Sequence, residues 1–441
     1  MKQTIVALAF LLLALPGVRA QSPRSITLEE AVKLGIDNSK QLRQSKNKID
    51  EALARLDQAK DLRLPSAKVS FQYLHALMLA RTLNFPGLTQ PGKPLSLSFD
   101  FPAYLGTLAI SEPIFNGNQF KYARQSADLL LQLSKLDADK DKDDVTYLVI
   151  SAYINYNKIL QNQLIVGRNM QDVDQKLTEI TKYESQGLAT RNDVLRFQLQ
   201  KSQIELSEIE LENDRKDANY DLNIILGLPD STQLTVSNFD YKLQEQPVFT
   251  DLLTQADANR RELQELAFQD KVADINIKKI QDGKLPTLAA TAGMYYINPT
   301  GKPIPTDHTV LAPITLGVGV SWNIGSLYTT KNKVAEAAAQ KQEIVTSKDQ
   351  AQDDIRKDVH KAYLGYLQSL DKIRVLQVAV DQAEENERIT ESKFQNNLAN
   401  TTDRIDAQTQ LYQSRVNLEL AKSDAAIAYY TMIKSTGNIH L

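Results

Sequence analysis

Few side chains in this sequence have the type and spacing to do chemistry. It contains no Cys, which removes thiol nucleophiles, redox pairs and zinc ribbons. The four His, at His75, His308, His360 and His440, include no pair at i, i+3 or i, i+4, so helical metal-ligand spacing is missing too. No set of His, Asp, Ser or Glu has nucleophile or metal spacing, so neither catalysis nor a cofactor or metal is expected. What remains are charged steps. Asp403-Arg404-Ile405-Asp406 sets two carboxylates on one helix face. Asp193-Val194-Leu195-Arg196 has a guanidinium where the second carboxylate would stand. A carboxylate pair attracts cations, but Asp403 after Thr401-Thr402 can equally be a favourable charge at a helix N-terminus.

The elements carrying these steps follow from the prolines. None lies between Pro113 and Pro229, or after Pro313. Since an interior proline costs a helix about 3 kcal/mol, these stretches are where long helices are possible. Each is divided by a polar turn, Tyr183 to Thr190 in one and Phe394 to Thr401 in the other, so each reads as a helical hairpin. The arm from Gln119 to Lys182 would be about 95 Å long at the α-helical rise. Heptad seams run through Phe197, Ile204, Leu211, Ala218 and Ile225, and through Leu411, Leu418, Ala425 and Met432. The charge runs Asp137 to Asp144 and Asp381 to Arg388 read as solvated helix faces.

The two halves share one plan. An offset of 210 residues relates Asp193 to Asp403, Gln198 to Gln408, Tyr220 to Tyr430 and Gly227 to Gly437. Upstream the offset is 221, from Leu64-Pro65 to Leu285-Pro286. The expected layout is a first repeat over 21–229, with strands near 66–76 and 98–112 and a hairpin at 119–228. A linker at 230–246 leads to a second repeat over 247–441, with strands near 287–297 and 311–323 and a hairpin at 327–437. Each repeat opens with an amphipathic helix, Thr27 to Leu62 and Thr250 to Gln281. In Thr315 to Asn323 the residues Leu316, Val318, Val320 and Trp322 face one way, and small or polar residues face the other. That period of two suits a wall between lipid and water. An ordinary half-buried soluble sheet has the same period; if the strands instead span a membrane, four per chain require several chains, because small barrels need about eight and open edges are not tolerated in lipid.

Met1 to Ala20, with Lys2, an apolar run from Ile5 to Leu15 and small residues before Gln21, reads as a secretory signal peptide. Its loss removes Lys2 and Arg19 and leaves 49 basic against 54 acidic side chains, a balance unsuited to nucleic-acid binding.

The sequence resembles the TolC-type outer-membrane efflux family over nearly the whole mature chain. The resemblance is carried by Thr27-Leu28-Glu29-Glu30-Ala31 with Asn38 and Leu42, by Ala258-Asn259-Arg260-Arg261-Glu262-Leu263, and by both Leu-Pro junctions. Glu112-Pro113-Ile114-Phe115-Asn116-Gly117, entering the first long helix, and both hairpin turns complete it. It implies a mainly α chain with a small membrane β-barrel contribution: a homotrimer whose 12-stranded barrel, embedded in outer-membrane lipid, joins an α-helical barrel in the periplasm. It implies an exit duct working with a periplasmic adaptor and an inner-membrane pump. It also implies a gate at the hairpin tips, lined by Asp403 and Asp406, with Asp193 and Arg196 at the equivalent place. Family members lock the closed tips with a Tyr and an Arg on the second hairpin. Phe394 and Ala399 stand at those positions here, so closure is expected from packing of Phe394 and from charge pairs around Asp193, Arg196, Asp403 and Asp406. The alternative, a periplasmic coiled-coil adaptor, would show one hairpin flanked by β domains.

Overall fold

The computed structural model describes residues 24–83, 95–237, 247–299, 310–437 and residue 439. The segment 1–20 expected to be a signal peptide, part of the linker and part of the two strand loops lie outside the described residues. The elements in chain order are β1 (Arg24–Ile26), α1 (Leu28–Asn38), α2 (Lys40–Asp61), β2 (Ser66–Leu83), β3 (Leu95–Asn116), α3 (Gln119–Ser185) and α4 (Arg191–Leu226). The second half repeats the plan with β4 (Leu234–Val236), α5 (Phe249–Asn259), α6 (Arg261–Asp282), β5 (Thr287–Pro299), β6 (Ile314–Ser321), α7 (Ser326–Gln395) and α8 (Thr401–Ser435). The proline-free stretches are thus two helical hairpins, and α3 and α7 run unbroken for 67 and 70 residues.

The chain divides into two compact units. One comprises residues up to Lys46, Leu136–Gln264 and from Asp349 on. Its cores are built twice. In the first repeat Val149, Ile150, Tyr153, Tyr156, Leu222 and Leu226 close over Ile26 and Ala31; in the second Val359, Tyr366 and Met432 close over Leu252 and Ala256. The short strands β1 and β4 pair in parallel. Two buried tyrosines satisfy their carbonyls, Tyr153 Oη donating to Ile26 O at 3.1 Å and Tyr156 Oη to Leu234 O at 2.7 Å. Buried hydroxyls with partners avoid the cost of an orphaned polar group.

Each expected opening helix is in fact two. The chain leaves helical geometry at Ser39 (ψ 123°) and at Arg260 (ψ 120°), which are 221 residues apart and so repeat-equivalent. Neither position has the Gly or Pro that marks a break in sequence. The cause is tertiary: the break carries Asn38 to the end of α4, where its Nδ2 donates to Leu226 O at 2.9 Å. Gly227 there has φ +69°, and a Cβ on it would lie 2.6 Å from Asn38 Cβ. Gly437, with φ +72°, lies against the repeat-equivalent residue, where an added Cβ would meet the Asn259 backbone carbonyl at 2.9 Å.

The other unit comprises Asn47–Lys135 and Glu265–Lys348. It holds an antiparallel sheet in the order β2-β3-β5-β6. The strands are longer than expected in β2 and β3, and β6 is shorter. The Glu112 to Asn116 segment, expected to lead into the helix, is the end of β3, with a register shift at Pro113/Phe115 where proline supplies no N–H. Registers align Val69 with Leu108, Leu108 with Met294 and Met294 with Ile314, and likewise Phe71 with Gly106 and Gly106 with Tyr296. One face is therefore apolar across all four strands. The other carries Ser70, Thr107, Thr291, Gly293, Thr315 and Gly317, with Ser70 and Thr107 hydroxyls 2.5 Å apart. Next to the sheet Asp282 accepts from Asn118 Nδ2 and Tyr122 Oη at 2.9 and 2.8 Å. These bonds hold its carboxyl below the usual range.

Gly227→Ala should lower the thermal stability of the solubilised protein by about 1–3 kcal/mol, the cost of a side chain at positive φ, increased by the clash with Asn38. Gly167→Ala, inside α3 with no atom within 4 Å of an added Cβ, should be neutral or stabilising by up to about 1 kcal/mol. Melting curves of the two variants against the parent check the contrast.

Candidate functional site

The two hairpin turns have one geometry. Each first arm ends in a left-handed residue, Gly187 (φ +73°) or Asn397 (φ +57°). The next amide then reaches back five residues, Leu188 N to Tyr183 O and Leu398 N to Lys393 O, both 2.8 Å. This is the 6→1 bond of a Schellman stop, for which Gly and Asn are the suitable residues. Each return arm then starts with a capping box, Thr190 with Asp193 and Asn400 with Asp403. Leu188 and Leu398 stand out from the turns, 73% and 77% exposed.

Asp193 accepts from Thr190 N at 2.8 Å and from Thr190 Oγ1 at 2.6 Å. Burial works to raise its pKa, but the Thr190 bonds, a hydrogen bond from Thr401 on the other hairpin and the charge of Arg196 together bring it below the ordinary value. Arg196 itself is exposed. Asp403 caps α8, accepting from Asn400 N at 3.1 Å, and both Asp403 and Asp406 are exposed. The backbone thus uses Asp193 and Asp403 as caps while leaving the Asp406 carboxylate open to water. Phe394 packs against Tyr183 of the other hairpin, ring centroids 6.5 Å apart.

Besides the attraction of Arg196 for Asp193, close ion pairs lie beneath the turns among the described residues. They converge on Arg404, whose side chain is only 4% exposed. Its Nε and Nη2 donate to Glu391 at 2.7 and 2.9 Å, and Nη2 also donates to Glu179 at 2.6 Å. The guanidinium lies 4.6 Å over the Phe394 ring. Glu179 also accepts from Tyr183 Oη at 3.2 Å, and this bond raises the Tyr183 pKa. Nearby Lys176 reaches Glu387 at 2.7 Å. These groups line a polar cavity of about 680 Å³ with Arg168, Gln408 and Arg415. Below the turns an apolar layer of Val173, Ile180, Val194, Phe197 and Ile204 includes Phe394, Ile405 and Tyr412 from the second hairpin.

Arg404 had a signal in the sequence. Counting one heptad back from Leu411 on the seam Leu411, Leu418, Ala425, Met432 lands on Arg404, and the repeat-equivalent residue 210 earlier is buried Val194. A cation at a seam position must find carboxylates on the facing helices. The run Asp137 to Asp144 is likewise more than a solvated face: Asp144 pairs with Lys434 at 2.7 Å and Asp143 with Arg261 at 3.7 Å. Among the described residues no group of three or more His, Asp or Glu could hold a metal, and no helix is long and apolar enough to cross a membrane.

Two long hairpins and an open four-stranded sheet, half from each repeat, define a class of chains built by duplication. Residues 252–438 match the family model described as outer membrane efflux protein. The fold is shared with the outer membrane protein VceC of Vibrio cholerae, at 14% identity and TM-score 0.71 over 93% of this chain and 96% of that one. It is shared with the CmeC outer membrane channel of Campylobacter jejuni (14%, 0.73, 93% and 85%) and the MtrE outer membrane channel of Neisseria gonorrhoeae (13%, 0.69, 93% and 89%). A Rattus norvegicus protein, polyamine-modulated factor 1-binding protein 1, is 23% identical over 184 residues, 40% of this chain; the chain spans about a fifth of that protein's length, 19%. The family match covers most of the second repeat, and the shared fold extends over nearly the whole chain.

Thr190→Ala should cost the tip about 1 kcal/mol at neutral pH by removing the cap. Because the folded pKa of Asp193 is depressed, the contribution of its carboxylate is complete above the unfolded value of about 3.9 and fades as pH falls through the lowered one. The melting-temperature deficit of Thr190→Ala should therefore shrink in acid; a deficit independent of pH would separate the cap from the Asp193 charge.

Proposed function

We propose that the chain is the outer-membrane exit duct of a tripartite efflux or type I secretion system, passing cargo to the exterior without a catalytic step. The observation that carries the reading is the sheet. Its edge strands β2 and β6 each have one neighbour among the described residues, and its apolar face is bare, with Phe71 67% and Leu316 82% exposed. In lipid every strand edge must be paired, and among the described residues that face stays exposed, so other copies of the chain supply the missing strands. Three copies make the 12-stranded barrel of the family. The apolar face then meets lipid, and Ser70, Thr107, Thr291 and Thr315 line a watery lumen. The protein sits in the outer membrane and extends into the periplasm.

At the hairpin turns, Asp403 and Asp406 from each copy form an acidic ring that favours cations, with Phe394 packing the closed tip and Asp193 and Arg196 at its margin. Exposed Leu188 and Leu398 are the apolar points offered to a periplasmic adaptor, itself joined to an inner-membrane pump. An adaptor reading of the chain itself is disfavoured by the second hairpin and the four-stranded sheet.

Purified protein should cross-link as a trimer and conduct ions in planar lipid bilayers; a monomer inert toward lipid overturns the reading. In the same bilayers the Asp403→Ala, Asp406→Ala double variant should lose cation selectivity and block by divalent cations. Unchanged selectivity removes the ring from the account and leaves the duct intact.

A further inference from the structure

The described side chains of the sheet include only two Asp, Glu, Lys or Arg residues, Lys68 and Glu112, and these stand on opposite faces. Glu112 pairs with Ala290, which pairs with Val318, so it belongs to the apolar face, next to the register shift near the end of β3. Lys68 pairs with Ala109, and the same row continues through Gly293 to Thr315 on the polar face. By strand alternation it shares that face with Ser66 and Ser70, the latter in contact with Thr107. Its immediate neighbours there, Ser66, Ser70, Thr107, Ala109 and Ser111, are all short. Lys68 is exposed and has no ion pair among the described residues, and no carboxylate stands on its face of the described strands. Its charge is therefore neither covered nor offset where it stands.

We infer that Lys68 from each copy forms a cationic belt inside the barrel, and that this belt draws anionic solutes into the membrane section of the duct. The inference rests on the duct reading and adds a residue that sets which solutes the barrel favours. Rotational symmetry places the Lys68 side chains of all copies at one height. That height lies close to Ser66, the end of β2 that follows α2. Charges of one sign on a wall of low dielectric focus their field into the water they enclose. Glu112 does not cancel that field from within, because the wall separates it from the lumen. The belt is opposite in sign to Asp403 and Asp406, which belong to the other compact unit, so each can be altered without touching the other.

The test is the reversal potential of the full-length protein in planar bilayers under a potassium chloride gradient. Lys68→Gln should lower the permeability of chloride relative to potassium by about threefold at about 0.1 M salt, where a charge acts over about 10 Å. Lys68→Arg keeps the charge and should match the parent. The difference between Lys68→Gln and the parent should close at about 1 M salt, where that reach falls to about 3 Å. A second measurement leaves Lys68 in place. The sequence has no Cys, so the Ala109→Cys variant carries a single thiol opposite Lys68. Relative to a free thiol, a negatively charged thiol reagent should modify it faster than a positively charged one in low salt, and the two should converge in high salt. Unchanged selectivity in Lys68→Gln overturns the belt and leaves the duct standing, as do equal relative rates of the two reagents in low salt. If Lys68→Gln does not assemble, the thiol rates decide alone. Absence of conductance in the parent fails the duct reading and the belt with it.

Discussion

Unpaired strand edges are the constraint on which everything else depends. A backbone amide or carbonyl with no partner is tolerable in water and prohibitive in hydrocarbon. The sheet β2-β3-β5-β6 ends in two such edges and turns one consistently apolar face outward. No rearrangement of a single copy removes both edges, because four strands are too few to curl closed. On the proposed membrane reading association follows from this arithmetic, and a duct follows from association, since the residues left inside are small or polar.

Duplication explains how the helical part is made, and the two copies depart from one another beneath the turns. The two turns share a Schellman stop, an exposed leucine and a capping box, residue for residue at an offset of 210. The layer beneath them does not match: Val194 in one repeat is an ordinary apolar seam residue, while Arg404 in the other is a buried cation between two carboxylates. A buried ion pair adds little net stability over a hydrophobic pair. What it supplies is directionality, because a guanidinium meets carboxylates in few geometries. That is useful where two hairpins must meet in one register.

Much of this was legible in the residues. The proline-free stretches, the heptad seams and the turns mark both hairpins, and the period of two in Thr315 to Asn323 marks the wall-like sheet. The breaks at Ser39 and Arg260 were not legible, because both residues tolerate helix and the reason for leaving it lies at the ends of α4 and α8. Arg404 stands between two aspartates whose own spacing is the stronger local pattern, while its seam position shows only over whole heptads. The aspartates themselves are read in two ways by the chain, Asp403 as a cap and Asp406 as an open charge.

Local patterns determine what each segment is, since helix, strand and turn preferences act over a few residues and leave their periods in the sequence. They also determine that four strands need company. Which charges meet is decided only when helices far apart in the chain pack together, because an ion pair depends on angle and burial to within an ångström. The choice of Glu179 and Glu391 as partners of Arg404, from among many carboxylates on the same helices, belongs to that packing.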